Sequence, residues 1–166
     1  MTETFFSSSS ESAETDGLQA GSSTRQSMMA TLAAASPDKI ADAYDRLGSV
    51  PEFDLVRQPE TGLVMVRGRM GGTGSPFNLG EVTVTRCVIR LQTGEAGSSY
   101  ALGRHKQKAL QTAVIDALWQ RPEERMRIET DVIAPLREAQ EEADRDVGAE
   151  TAATKVDFFT MVRGDD

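Results

Sequence analysis

Basic side chains crowd one short stretch of the chain, at the predicted start of a helix. Gly103 is followed by Arg104, His105 and Lys106 and, two residues later, by Lys108. Cations are unfavourable at the positive end of a helix dipole unless an anion binds there. With an anion, the free backbone N–H groups and the basic side chains form a phosphate site. The stretch therefore predicts a phosphate or pyrophosphate contact. The alternatives are contact with acidic residues of a partner, or basic residues that are merely tolerated at this end of the helix.

A glycine-rich run provides a second candidate for phosphate binding. Gly71, Gly72 and Gly74 lie between two predicted strands. Glycines let backbone amides face an anion, but neither GxxxxGK[ST] nor a strand-to-helix GxGxxG pattern is present. A loop that joins two strands also needs glycine for positive φ. The run therefore favours a structural turn or a subunit interface.

Arginines recur along the predicted strands on either side of this run. Arg67 and Arg69 share one strand face, and Arg86 and Arg90 follow on the next strand. Guanidinium groups bind phosphate oxygens in a bidentate manner. These residues predict a cationic sheet surface, and the alternatives are a solvated face or an interface with acidic residues.

The chain offers no complete set of catalytic residues. It contains no Ser/His/Asp set, no Cys/His pair and no two carboxylates with acid–base spacing. His105 is the one imidazole, and it fits either proton transfer or an ordinary surface position. Asp116 interrupts an apolar helical stretch, so we expect it at the edge of the stripe or paired with an arginine. Cys87 lies among aliphatic residues and is expected to be buried and unreactive. No metal site is predicted.

Composition and charge restrict the class of protein. The chain has 166 residues, 39% hydrophobic and 27% charged, and a net charge of −8. Residues 53–108 nevertheless carry eight basic and four acidic side chains. The overall charge argues against an autonomous DNA-binding protein, whereas the basic middle suggests an anionic ligand or an acidic partner. Without a secretory signal or a run of roughly 20 apolar residues, we expect a cytoplasmic protein without membrane insertion.

The elements that position these residues begin after a serine-rich tail. Residues 1–23 have no apolar period and are predicted to be disordered. A helix is predicted from Thr24, and a second has Ser36 as its N-cap, Pro37 at its first position and Gly48 just past its end. Residues 24–166 as a whole are predicted to form one domain.

Beyond Pro51 the apolar period changes to two, which indicates strands. Phe53–Gln58 and Leu63–Met70 are predicted to pair around a tight turn at Pro59–Gly62. A third strand is predicted over 81–91, with a bulge near residues 85–86 or cover on both faces. Residues 98–102 complete a predicted antiparallel sheet of about four strands.

Helical patterns return over residues 104–119 and again from about residue 123. In the second stretch, Pro135 is predicted to interrupt the helix and Gly148 is predicted to end it. The class is therefore α+β, a small antiparallel sheet flanked by helices. Residues 155–163 become apolar again, and the segment 153–166 is predicted either to close the domain or to dock on a partner. The proposed partner contacts are Phe158, Phe159, Met161 and Arg163.

Six stretches, taken in order along the chain, carry a resemblance to a known family. They are residues 60–64 (ETGLV), 69–74 (RMGGTG), 103–104 (GR) with 106–107 (KQ), 115–118 (IDAL), 133–136 (IAPL) and 153–165 (ATKVDFFTMVRGD). In this order they resemble the PhnG family of the bacterial carbon–phosphorus lyase system. The resemblance spans residues 24–166, and the stretch over 153–165 is the longest and most unusual.

This resemblance implies a non-autonomous subunit of a core complex that also contains PhnH, PhnI and PhnJ, assisted by an ATP-binding-cassette subunit. The complex is expected to transfer an alkylphosphonate to the ribose C1 of ATP with release of adenine. ATP is then a substrate of the complex, and no cofactor is expected in this chain. The resemblance carries no catalytic residue over to this chain. The chain also lacks the cysteines of a radical iron–sulfur subunit.

Two other classes remain open from the sequence. One is a stand-alone transferase that binds a phosphonate or a nucleotide. The other is a winged-helix regulator built from the two helices and the hairpin of residues 25–70. Its first two helices carry Asp38, Asp42 and Asp45, where DNA recognition requires basic side chains.

Overall fold

Two helices open the part of the chain that the structure, a computed structural model, describes. That part is residues 24–71 and 73–153, and the predicted tail of residues 1–23 lies outside it. Helix α1 covers residues 24–34 and α2 covers Pro37–Arg46. The Ser36 Oγ accepts a hydrogen bond from the Lys39 N–H at 3.4 Å, and Gly48 has a φ of 69° just past the helix. The predicted N-cap and glycine stop are confirmed.

The sheet has three antiparallel strands in the order β1-β2-β3. They are β1 (Phe53–Arg69), β2 (Pro76–Leu91) and β3 (Ala96–Leu102). The predicted hairpin around Pro59–Gly62 is wrong, because β1 continues through these residues and the turn of the first hairpin lies at 70–75. Proline is compatible with β1 because β1 is an edge strand and Pro59 lies at a register shift. The α+β class is confirmed with one strand fewer than expected.

The predicted irregularity near residues 85–86 occurs, but on the neighbouring strand. The register shifts between Arg57 and Glu60 of β1, opposite β2 residues 88 and 86, whereas the β2–β3 register is continuous. Along β2, Thr85 and Cys87 face the helices, so Val82 and Val84 belong to the other face. The apparent change of face in the sequence therefore reflects two partly apolar faces rather than a bulge in β2.

Helix α3 (Lys106–Trp119) covers one face of the sheet and is buried from Gln111 to its end. It begins two residues later than predicted. It approaches β3 closely at Gly97, where an added Cβ would lie 1.9 Å from the Ala113 carbonyl oxygen. Glycine is required here because any larger residue would force the helix away from the sheet.

The remaining chain forms one nearly continuous helical stretch. It consists of α4 (Pro122–Ile128), a π-helical turn (Glu129–Ile133) and α5 (Ala134–Ala153). The α-helix is interrupted next to Pro135, as predicted, but by a π-helical turn and not by a break. Pro135 lies in the first turn after it, where the hydrogen-bond ladder is already re-registered. The prediction that Gly148 ends the helix is wrong, since α5 continues through it to Ala153.

The buried core joins α1, α2 and the start of α5 to α3 and the helix-facing side of the sheet. Its largest fully buried side chains include Met28, Leu32, Ile89, Ile115 and Ile133. Among the described residues, no helix is both long enough and apolar enough to cross a membrane. The predicted partner contacts at Phe158, Phe159, Met161 and Arg163 lie outside the described residues.

Candidate functional site

The basic residues at the start of α3 form an exposed surface, here called the basic shoulder and defined as Arg104, His105 and Lys106. All three side chains are exposed, and the first turn of α3 contains no acidic residue. His105 occupies the N-cap position without donating or accepting a capping hydrogen bond through its side chain. The N-terminal amides of α3 therefore have no side-chain cap among the described residues, which leaves the positive end of the helix open to an anion.

A glycine fixes the position of the shoulder relative to the sheet. Gly103 has a φ of 82°, and its N–H donates to the Thr83 carbonyl oxygen at 2.8 Å. Its own carbonyl oxygen accepts from the buried Thr85 hydroxyl at 2.7 Å. An added Cβ at Gly103 would lie 3.0 Å from the His105 ring. The shoulder is thus anchored at the point where β3 leaves β2.

Lys108, the fourth predicted member of this cluster, lies elsewhere. Its side chain is buried, and its ammonium group donates to the carbonyl oxygens of Ala33 at 2.7 Å and Ala35 at 2.6 Å. These are carbonyls at the C-terminal end of α1, where a cation is favourable. Burial lowers the pKa of Lys108. In the described chain Lys108 joins α1 to α3 and does not contribute to the exposed shoulder.

The glycine-rich run forms the tip of the β1–β2 hairpin. Gly71 has a φ of 62°, and the Gly74 N–H donates to the Met70 carbonyl oxygen at 3.0 Å. The Arg69 guanidinium donates to the Gly74 carbonyl oxygen at 3.1 Å. Gly71 and Gly74 serve the turn in the way the structural alternative expects, and Gly72 lies outside the described residues.

The four strand arginines do not come together. Arg67 lies opposite Asn78, whereas Arg86 lies opposite Glu60, so the two positions are eight residues apart along β2. At the rise of an extended strand this separation is about 26 Å. Arg67 and Arg69 therefore belong to the hairpin tip, and Arg86 belongs to the central part of the sheet.

Arg86 is neutralised locally. Its guanidinium donates to the Glu60 carboxylate at 2.9 Å, and Arg57 approaches the same carboxylate at 3.3 Å. Glu60, and after it Tyr100, raise the pKa of Arg86. Arg90, on the same strand face by alternation, lies opposite Asp54. The ion pairs on this face join Arg57 and Arg86 to the single carboxylate of Glu60, which leaves less positive charge at Arg86 for an anion.

Arg67 and Arg69 share a strand face with Leu63 and Met65, by the alternation of β1. On β2, Thr83 shares this face, and by alternation it lies on the same side of the sheet as Thr85, which faces the helices. Because Leu63 lies opposite Thr83, the base of this face adjoins the basic shoulder. The two remaining basic groups are therefore separated by an exposed apolar stretch of one continuous face.

A buried ion pair fixes α1 against the sheet and α3. Asp116 is fully buried and accepts hydrogen bonds from Arg25 Nε at 2.9 Å and Arg25 Nη2 at 2.7 Å. The Ser98 N–H donates to the same carboxylate at 2.8 Å. The expectation that Asp116 pairs with an arginine is confirmed. No sequence pattern identified Arg25 as the partner, because it lies 91 residues away.

The described residues do not assemble a reactive centre. No group of three His, Cys, Asp or Glu side chains among them could hold a metal ion. Cys87 is buried and donates to the Arg57 carbonyl oxygen, and burial raises the pKa of its thiol. Among the described residues, neither a bound metal ion nor an accessible thiol is therefore available as a reactive group.

Comparison with known proteins gives one consistent result. The family model described as "Phosphonate metabolism protein PhnG" matches residues 23–164. A curated relative from Rhizobium meliloti (strain 1021) is 48% identical over 149 residues, which is 89% of this chain and 94% of the relative. That relative is named alpha-D-ribose 1-methylphosphonate 5-triphosphate synthase subunit PhnG. The family match includes the basic shoulder and the whole sheet.

Proposed function

This chain belongs to the PhnG family of phosphonate metabolism proteins, and from that premise we propose that it is a subunit of a phosphonate ribose-triphosphate synthase. The observation that carries this proposal is the 48% identity to a named synthase subunit over nearly the full length of both chains. The proposed assembly contains PhnH, PhnI and PhnJ and works with an ATP-binding-cassette subunit. It operates in the cytoplasm, where its substrate ATP is available.

The reaction of the assembly joins an alkylphosphonate to the ribose C1 of ATP. A bond forms between a phosphonate oxygen and C1, the N-glycosidic bond breaks, and adenine leaves with a proton. The triphosphate remains on the product, so the enzyme must hold a highly charged anion throughout. We infer that this chain contributes to that binding and to assembly. Its described residues contain no group able to hold a metal ion, and Cys87 is buried.

The basic shoulder is the proposed contact with the triphosphate. Arg104 and Lys106 are exposed and form no ion pair within the described chain, and they adjoin the uncapped N-terminus of α3. Charged side chains and helix amides in this arrangement favour phosphate oxygens. Arg86 is a weaker candidate because Glu60 already pairs with it.

The variant Arg104→Ala/Lys106→Ala tests this role in the assembled enzyme. Loss of two charged contacts should raise the KM for ATP by roughly tenfold or more, since one such contact contributes about 1.5–3 kcal/mol. The matched control is Arg137→Ala/Arg145→Ala, which removes two exposed arginines from α5. An unchanged KM in the shoulder variant would exclude the triphosphate contact.

Assembly is tested by co-expression with PhnH, PhnI and PhnJ, followed by size-exclusion chromatography. Full-length chain should co-elute in a fixed ratio with these subunits. The proposed C-terminal contacts, Phe158, Phe159, Met161 and Arg163, are tested with a chain that ends before Lys155. Co-elution of full-length chain and loss of the shortened one would support the C-terminal segment as an anchor.

Elution of full-length chain alone, with adenine release in its own fraction, would favour a stand-alone transferase. The winged-helix alternative has no comparable support, because β1 has no hairpin within residues 53–69.

A further inference from the structure

The β1–β2 hairpin extends beyond the rest of the molecule as a two-stranded arm. We define the arm as residues 62–69 of β1, residues 76–83 of β2 and the turn between them. Its register runs from Leu63 opposite Thr83 to Arg69 opposite Pro76, six residue steps along β1. At the usual rise of a strand, this is about 20 Å. The third strand pairs only with residues 84–90 of β2, and Gly103 reaches only the Thr83 carbonyl oxygen at the base of the arm. Beyond Thr83, neither edge of the arm pairs with another strand within the described chain.

Both faces of the arm expose large apolar side chains. On one face, Leu63 is 63% exposed and Met65 is 47% exposed. On the other face, Val64 and Val82 form a cross-strand pair and are 40% and 36% exposed. Leu79 lies over Gly68 on this second face, where an added Cβ would lie 2.6 Å from the leucine side chain. Even so, Leu79 is 61% exposed.

This combination is unfavourable for an arm surrounded by water. A two-stranded hairpin is marginally stable alone, and exposed apolar strands with free edges promote aggregation. Proteins usually protect such edges with lysine, proline or a covering element. The arm has no lysine, and its one proline is Pro76 at the end of the register. Of the three register shifts, two lie with Pro59 at the base of β1, and the third lies within the arm between Val66 and Arg67. That irregularity still leaves large apolar side chains exposed on both faces. The arm is therefore built to be covered.

We propose that the arm inserts into an apolar cleft of another synthase subunit, which covers both of its faces and presents carboxylates to its tip. This inference rests on the proposed function. Two apolar faces require cover on two sides, which a flat docking surface cannot provide. The carboxylates are inferred from Arg67 and Arg69, which are exposed and form no ion pair within the described residues. Glu81 is the single acidic side chain of the arm.

A second copy of the chain does not provide such a cleft in its described part. Away from the sheet, the exposed large apolar side chains of the described residues are Met126 on α4 and Val147 on α5. They lie singly on helix surfaces, and single exposed apolar residues are ordinary on any protein. We therefore commit to a different polypeptide as the occupant, and self-association is one of the outcomes that the test below distinguishes.

One aspartate pair on each face of the arm tests the insertion. The variants are Leu63→Asp/Met65→Asp on one face and Val64→Asp/Val82→Asp on the other. Each should weaken association with co-expressed PhnH, PhnI and PhnJ by roughly 100-fold or more, because a buried unpaired carboxylate is strongly unfavourable. The matched control, Met126→Asp/Val147→Asp, changes exposed apolar side chains outside the arm and should co-elute like wild type. Loss of association from only one face would overturn insertion and indicate a flat contact.

A second measurement does not depend on variants. Amide hydrogen exchange of the wild-type chain in the complex should show protection across residues 62–69 and 76–83 relative to the free chain. The charge component is tested with Arg67→Glu/Arg69→Glu, whose association defect should shrink as salt is raised. Unprotected arm amides in an intact complex would overturn the proposal even where a variant fails to fold.

The outcomes separate this proposal from the one on which it rests. If the wild-type chain does not associate with the synthase subunits, the proposed function fails and the arm proposal fails with it. If wild type and both arm variants associate equally, the arm proposal alone fails. If the isolated chain is a dimer that the arm variants dissociate, a second copy is the occupant, and the proposal is likewise overturned.

Discussion

Removal of the Asp116 carboxylate should loosen the attachment of α1 to the rest of the fold. In Asp116→Ala, the Arg25 guanidinium loses two hydrogen bonds and the Ser98 N–H loses its acceptor. These groups belong to α1 and β3, so one substitution in α3 disturbs the junction of three elements.

The size of the loss follows from the burial of each partner. An unsatisfied backbone N–H costs about 1–3 kcal/mol. The Arg25 side chain is 35% exposed and can turn towards water, so its ion pair contributes only about 1 kcal/mol. The expected decrease in the free energy of unfolding is therefore about 2–4 kcal/mol. Asp116→Asn keeps the side-chain volume and one oxygen acceptor, and it should lose less.

Urea unfolding measures this directly. Trp119 is the one tryptophan of the chain and is 2% exposed, so its fluorescence reports loss of the core. The midpoint should fall while the slope with urea stays constant. Arg25→Ala should also destabilise the protein, because it leaves the Asp116 carboxylate buried without its cation while the Ser98 N–H still donates to it.

The double variant completes the test. The effects of Arg25→Ala and Asp116→Ala should not add, since each removes the same contact. Losses that add within about 0.5 kcal/mol would refute the assignment of this pair as the link between α1 and α3. A loss below about 1 kcal/mol in Asp116→Ala would refute it equally.

Three further predictions concern other buried positions. Gly97→Ala should lower the free energy of unfolding by about 3 kcal/mol or more, because the new methyl group would overlap the Ala113 carbonyl oxygen. Gly62→Ala is the control, since Gly62 has open space around it, and it should change the free energy of unfolding by less than about 1 kcal/mol. Chemical denaturation compares the two variants, and equal effects would contradict the close approach of α3 to β3. Lys108→Met should cost about 2 kcal/mol through loss of two carbonyl partners. Burial puts the folded-state pKa of Lys108 below the usual 10.5, so the folded protein releases this proton at a lower pH than the unfolded chain does. Wild type should therefore gain stability relative to Lys108→Met as pH rises towards 10.5. A stability difference between the two proteins that stays constant with pH would contradict the lowered pKa. Cys87 should react with a thiol reagent only after denaturation, and rapid labelling of the native chain would contradict its burial.

Local chemistry predicted the helices well. Ser36, Pro37 and Gly48 define the limits of α2 through capping and fixed φ, and such signals depend on neighbours in sequence. The same local logic failed at Pro59, where the edge position of β1 tolerates proline. At Pro135 it located the interruption of the helix but not its form, which is a π-helical turn that keeps the helical path continuous. Both outcomes depend on the tertiary structure.

The candidate site was predictable in part. The exposed positions of Arg104, His105 and Lys106 agree with a charged helix start. Lys108 is two residues from Lys106 and yet lies in the core, because its stem follows the buried side of α3 towards α1. Arg67 and Arg86 lie far apart because β1 is one long strand, whereas the wrong prediction of a turn at Pro59–Gly62 divided it into two shorter strands. The arm was missed for the same reason.

Adenine release from ATP and methylphosphonate tests the central claim most directly. The other synthase subunits are co-expressed and purified with and without this chain, and adenine is measured as it forms. Adenine should be released only when the chain is present in the complex, and none should be released by the chain alone. Equal release by a complex that lacks the chain, or release by the chain on its own, would contradict its role as a required subunit.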